Sequence, residues 1–216
     1  MLFYMEDFAL PTDTFYRLPE EKRERLVCAI YQELSRVPVT EMSINRIVHQ
    51  AGISRGSFYQ YFTDRDDLVD FLIGDFLNRI QAFTAAEAAS CTDCFVLMRR
   101  IIREIRRFGD LPENRAFAAN LLSHIRSGWS LRSGCIHKTH IGQAVMVDWY
   151  DRYFDRAALN ADTDETFSLI LELLFTVFRS AVAELYAPNV DADRVIDRFD
   201  RKLEILQRGM LRAAGR

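Results

Sequence analysis

The sequence predicts an all-α protein, and three observations carry that expectation. Only nine glycines and five prolines punctuate 216 residues. Nearly every segment between them repeats its apolar residues at helical rather than alternating spacing, and no stretch reads convincingly as a strand. Apolar residues make up 49% of the chain, which argues for packed globular structure over disorder. No internal repeat or low-complexity tract interrupts the pattern.

Each element then has its own local reason. Pro19 suits the first turn of a helix, Glu20 and Glu21 complement its dipole, and Val27, Ile30 and Leu34 form one stripe before Pro38 ends it. Ser43 can cap a short second helix whose Ile44, Ile47, Val48 and Ala51 face inward, and Gly52 stands where a left-handed turn residue is wanted. Ser54 can cap a third helix. Asp64, with Asp67 three residues on, caps a fourth, in which Leu68, Leu72, Phe76 and Ile80 share a face.

Residues 43–62 thus hold helix, glycine-bearing turn and helix, with a longer supporting helix before them. This is a helix-turn-helix pattern. Longer helices are expected at about 93–108, 113–127, 138–158, 164–186 and 191–213. The chain divides near residue 78, giving a helix-turn-helix domain at 1–78 and a larger helical domain at 79–216.

The totals exclude several classes. A net charge of −3 and a pI near 5.9 rule out a uniformly basic nucleic-acid coat. Four scattered cysteines (Cys28, Cys91, Cys94, Cys135) make no disulfide framework and suggest a reducing, cytoplasmic setting. The segment MLFYMEDFALP carries Glu6 and Asp7 and lacks the basic start and long apolar run of a signal peptide. The richest apolar stretch, 167–182, is interrupted by Glu172 and Arg179, so no membrane contact is expected.

In a helix-turn-helix the second helix must offer an exposed face of donors and small residues while its other face is anchored in a core. Phe58 and Phe62, four residues apart, supply the anchor. Arg55, Ser57, Tyr59, Gln60 and Tyr61 supply candidates for groove and phosphates, and Gly56 lets the backbone come close to DNA. Residues 1–75 carry eight basic against thirteen acidic side chains, the wrong sign for phosphate binding. From Ile44 to Tyr61, however, the only formal charges are Arg46 and Arg55, so the reading stretch is locally positive. Arg65 adds a further candidate phosphate contact, opposed by Asp64, Asp66 and Asp67.

The run INRIVHQAGISRGSFYQYFTDRDDLVDFLI resembles the DNA-binding domain of the TetR family of transcriptional regulators. That family's pattern is a short helix, A-G-[VI]-[ST], a small or basic residue, G-[ST]-[LF]-Y-x-[YH]-F, then a lysine or arginine three positions on. The similarity spans roughly residues 22–75, about a quarter of the chain, and FYRLPEEKRERLVCAI is similar to the first helix of one branch. The resemblance implies that Arg55, Gly56, Ser57, Tyr59, Gln60 and Tyr61, with Ser54 at their start, face DNA. It implies that Ser43 and Arg46 flank it, and that Arg65 takes the place of the basic phosphate contact. The aspartates around Arg65 are a departure from the pattern.

For residues 79–216 the resemblance implies a domain that binds a small-molecule effector, whose identity and pocket residues it does not specify, and that dimerises. Phe167, Ile170, Leu171, Leu174, Phe175, Phe178 and Val182, with Val195, Phe199, Leu203, Leu206 and Met210, make the last two helices the expected homodimer surface. The run RRIIREIRRF places arginines at 99, 100, 103, 106 and 107; a solvated helix face with Glu104 as partner explains it better than nucleic-acid or anion binding. Trp129, Trp149, Tyr150, Tyr153, Phe154, Met98 and Met146 are more ordinary as core than as a ligand cavity.

Cys91 and Cys94 form a lone C-x-x-C, and Cys135, His137 and His140 add soft ligands at irregular spacing, too weak a pattern to expect a metal or cofactor. No nucleophile elbow, phosphate loop or dinucleotide fingerprint appears, so no enzyme is expected. The chain is thus expected to be a ligand-responsive repressor that binds a palindromic double-stranded operator as a homodimer. The alternative is a helical protein-interaction module that has lost DNA binding, for which the acidic first domain is the best argument.

Overall fold

A computed structural model of the chain describes residues 11–126 and 156–211. Among the described residues there is no strand, only an isolated antiparallel bridge between Leu159 and Leu211. The structure is all-helical, and it separates into two compact units.

The first unit contains α1 (Asp13–Tyr16), α2 (Glu20–Arg36), a 3-10 turn (Val39–Glu41), α3 (Ile44–Ala51), α4 (Arg55–Tyr61), the part of α5 (Arg65–Ala88) up to Asn78, and α7 (Pro112–Arg126). Helix α2 starts behind Pro19 with Glu20 and Glu21 in its first turn, and Arg36 completes its last turn ahead of Pro38. Its buried residues are Leu26, Ala29, Ile30, Glu33 and Leu34, while Val27 is only half-buried. The reason is that α2 packs on both α3 and α7, so it needs a broader buried face than a single stripe.

Asn120 of α7 donates to the Leu34 carbonyl at 2.7 Å, Phe117 stacks on Tyr31 at 4.3 Å, and the Tyr31 hydroxyl donates to Asp75 at 2.9 Å. Helix α7 lies beyond residue 78 in sequence, yet it belongs to this unit. Leu26, Ile30, Leu34, Ile47, Phe58, Phe62, Leu68 and Leu72 form the fully buried centre. Each such side chain contributes about 1.5–3 kcal/mol by leaving water. Sequence periodicity gave no sign of α1. Its single anchor, Phe15, lies within 6.3 Å, ring to ring, of Tyr61, Phe62 and Phe71.

The second unit contains the end of α5 from Arg79, α6 (Cys94–Phe108), a 3-10 turn (Arg156–Ala158), α8 (Asp164–Leu185) and α9 (Ala192–Met210). Thr163 caps α8 through the Thr166 N–H, and Asp191 caps α9 through the N–H groups of Asp193 and Arg194. Helices α6, α8 and α9 pack on one another. They bury Phe95, Leu97, Met98, Ile101, Ile102 and Ile105 against Phe167, Leu171, Leu174, Phe199 and Leu203, and the Tyr186 hydroxyl donates to the Ile105 carbonyl at 2.6 Å. Met98 is therefore core.

The arginine run lies on the other face of α6 and is paired with acids. Arg99 and Arg103 both reach Asp200, Arg100 reaches Glu87, Arg106 reaches Asp193, and Arg107 reaches Glu104. Helix α8 is long and apolar enough by length and composition to cross a membrane, but it contains Glu172 and Arg179 and packs on α6 and α9. The helix expected at 138–158 lies outside the described residues except for its final turn. So do Trp129, Trp149, Tyr150, Tyr153, Phe154, Met146, Cys135, His137 and His140.

Candidate nucleic-acid interface

The helix-turn-helix is built by local chemistry at each helix end. The Ser43 hydroxyl accepts from the Arg46 N–H at 3.4 Å and starts α3. Gly52 ends it with φ of +66°, a conformation in which any side chain is strained. The Gly52 N–H donates to His49 and the Ile53 N–H to Val48, the paired closing bonds of a Schellman turn. Ser54 then caps α4 by accepting from the Ser57 N–H at 3.0 Å, and the two serine hydroxyls pair at 2.8 Å. Phe58 and Phe62 are fully buried and fix α4 to the core.

The opposite face is open and polar. Asn45, Arg46, His49 and Gln50 of α3, and Ser54, Arg55, Gly56, Tyr59 and Gln60 around α4, are all exposed, with no carboxylate among them. Arg55 is held from two sides: Nη1 donates to Asn45 Oδ1 at 3.1 Å, Nη2 donates to the Tyr59 hydroxyl at 3.3 Å, and its guanidinium carbon sits 5.7 Å from the Tyr59 ring centroid. Such restraint lowers the entropy lost when the guanidinium meets a ligand. At Gly56 an added Cβ would meet only the Ser54 hydroxyl oxygen, at an ordinary 3.8 Å, and φ is not positive. The protein's own packing therefore does not require glycine there.

Arg65 donates from Nη1 to the Thr40 carbonyl at 3.2 Å and from Nη2 to the Met42 carbonyl at 3.0 Å. The neighbouring aspartates have work of their own. Asp64 accepts from the N–H groups of Asp66 and Asp67, and Asp67 accepts from the Thr63 N–H, together closing the start of α5. An open cleft of about 450 Å³ brings Ser43, Asn45, Arg55, Tyr59 and Arg65 together, with Ile44 and Asp64 also on its walls.

Tyr61 departs from the sequence-based expectation. Its side chain is 7% exposed and meets Phe15 edge-on at 6.3 Å, so the ring belongs to the core and not to the open face. The physical reason is α1: Thr12 donates through its backbone N–H to the Tyr61 carbonyl and through its hydroxyl to the Gln60 carbonyl, which seats Phe15 over that side of α4.

Two residues that sequence reasoning missed stand out. Asn45 gives Arg55 its acceptor. Glu33, with a fully buried side chain, accepts from the Ser43 N–H at 2.9 Å, pairs with Arg36 at 2.8 Å and lies 3.5 Å from Arg46 Nε. Burial alone would push the Glu33 carboxyl up, but the Arg36 hydrogen bond, the Ser43 N–H and the charges of Arg36 and Arg46 together hold it below the ordinary glutamate range. A carboxylate on the apolar stripe of α2 was the available signal, since buried acids are almost always paired. Among the described residues no group of three or more histidine, cysteine or acidic side chains is placed to hold a metal, and Cys94 is buried on α6.

Residues 28–71 match the family described as bacterial regulatory proteins, tetR family, and residues 93–210 match the tetracyclin repressor-like C-terminal domain. A TetR-family transcriptional regulator from Pectobacterium atrosepticum superposes with a TM-score of 0.63 at 17% identity, over 90% of this chain and 96% of that one. A TetR transcriptional regulator from Rhodococcus sp. RHA1 gives 0.51 at 12% identity, over 86% and 94%. At such identities the likeness is one of fold.

Proposed function

The chain belongs to the TetR family of transcriptional regulators, and from that premise we propose that it is a repressor which binds a palindromic operator as a homodimer and is released by a small-molecule effector. The observation that carries the DNA reading is the open face of α3 and α4, which presents two guanidinium groups and a row of amide and hydroxyl side chains without a carboxylate. The chain's net negative charge is no obstacle, because none of the exposed residues of this face is acidic, and Asp64, which lines the cleft beside it, accepts from the N–H groups of Asp66 and Asp67.

In this reading α4 enters the major groove. Arg55 and Tyr59 meet base edges or phosphate from a fixed arrangement, Gly56 lets the backbone approach, and Gln60 offers both donor and acceptor. Ser54 and Ser57 shape the start of the helix. Ser43, Arg46 and Arg65 meet the flanking backbone. The dimer forms through α8 and α9, where Leu169, Leu173 and Ile205 are left exposed.

An effector bound in the C-terminal domain acts by favouring a dimer whose two reading helices no longer match successive half-sites, which lowers DNA affinity. Regulators of this family are generally non-enzymatic, and we place this one in the cytoplasm. Selection from a random duplex pool at low salt tests the proposal. A palindrome with half-sites about one helical turn apart is expected; a pool with no enriched palindrome overturns it.

A further inference from the structure

Arg46 has a fixed neighbour that the DNA reading does not by itself explain. Its Nε lies 3.5 Å from Glu33 Oε2, while the side chain remains about half exposed. The same carboxylate receives the N–H of Ser43, the residue that starts α3, and both Nε and Nη2 of Arg36. One buried negative charge on α2 thus engages two arginines and one end of the first reading helix. Glu33, Arg36 and Arg46 together carry a net charge of +1, with Glu41 acting on Arg36 from the side. The contact is an ion pair through Nε, and the half-exposed guanidinium can meet a phosphate with its terminal amino groups.

We infer that Glu33 is a positioning residue for DNA binding, acting through Arg46: it holds the arginine at one orientation beside the start of α3, so that Arg46 meets a backbone phosphate without first being ordered. This rests on the DNA-binding reading above and deepens it. A carboxylate that only stabilised the fold would have no need of an exposed second arginine. One that only neutralised Arg46 would weaken phosphate binding rather than support it.

The test uses the full chain and the duplex enriched by selection, with binding read at several salt concentrations and melting temperature read in parallel. R46A is expected to lower affinity about tenfold and to reduce the logarithmic salt slope by about one per subunit. E33Q is expected to lower affinity by a similar factor in the Arg46 background and by less than about twofold in the R46A background, the non-additivity of residues acting as a unit. R46K retains the charge but has no Nε–H to meet Glu33 while presenting two amino groups, and it should bind about as weakly as R46A.

Effects of E33Q and R46A that multiply independently would overturn the inference, as would an R46K protein that binds like wild type. The lysine variant keeps the inference open to refutation even if E33Q fails to fold, since Arg46 is exposed. A wild-type chain that binds no duplex overturns the DNA reading itself, and this inference with it.

Discussion

Arg55 donates to Asn45 Oδ1 at 3.1 Å, a single hydrogen bond that joins α4 to α3 across the turn made by Gly52. Arg55→Ala is expected to cost about 1–3 kcal/mol of operator affinity, roughly fivefold to a hundred-and-fiftyfold. Asn45→Ala should cost less, because it frees the arginine without removing it. Fluorescence anisotropy on the selected duplex measures both, and neither variant should lower the melting temperature by more than a few degrees, since both side chains are exposed.

Gly56 separates folding from function. Its Cβ position is open and its φ is not positive, so Gly56→Ala should leave the fold as stable as before or better by about 0.5 kcal/mol. Operator binding should fall at the same time, since the added methyl stands where the helix backbone approaches DNA. A thermal melt and a titration on the same sample check this; retained affinity would mean that the glycine has no role at the groove.

Tyr59 and Tyr61 lie two residues apart on one short helix and should behave oppositely. Tyr61→Ala empties a site in the Phe15, Phe62 and Phe71 cluster and is expected to cost about 3 kcal/mol of stability. Tyr59, 43% exposed, should tolerate the same change with little loss of stability but weaker DNA binding. Chemical denaturation of the two variants distinguishes them.

The depressed Glu33 carboxyl links stability to pH. A group whose folded value lies below its unfolded one stabilises the fold above the unfolded value, about 4.5, and loses that contribution as pH falls through the folded value. Melting temperature should therefore drop on acidification below about pH 5 more steeply in wild type than in Glu33→Gln, which has no such proton to take up. Parallel curves would exclude Glu33 as a source of acid sensitivity.

Leu169 and Leu173 are four residues apart on α8, each more than half exposed on a helix whose other face is core. Leu173→Glu should leave the monomer folded and halve the mass seen by light scattering at micromolar protein. Affinity for a full palindrome should fall with it, while a wild-type chain already monomeric at that concentration would refute the dimer reading.

Much of the first unit is legible in sequence because its helix ends use side chains with one well-defined purpose. Ser43, Ser54 and Asp64 cap, Gly52 takes the left-handed conformation, and Phe58 and Phe62 anchor. What escapes notice depends on partners distant along the chain. Tyr61 has the spacing of an exposed residue until Phe15, forty-six positions earlier, covers it. Glu33 stands on the apolar stripe of α2, but which groups pair with it shows only when Ser43, Arg36 and Arg46 converge on it. The aspartates around Arg65 oppose DNA by charge alone, yet Asp64 and Asp67 each spend an oxygen on the backbone at the start of α5, while Arg65 holds the Thr40 and Met42 carbonyls.

The bond from Ser43 to Glu33 also sets the smallest piece of this protein that could be moved into another regulator. A graft limited to residues 43–62 would carry the Ser43 N–H and the Arg46 guanidinium into a host whose supporting helix offers them no acceptor. The portable unit of recognition therefore begins ten residues earlier, and a chimera meant to change operator preference must bring Glu33 along with the helix that reads.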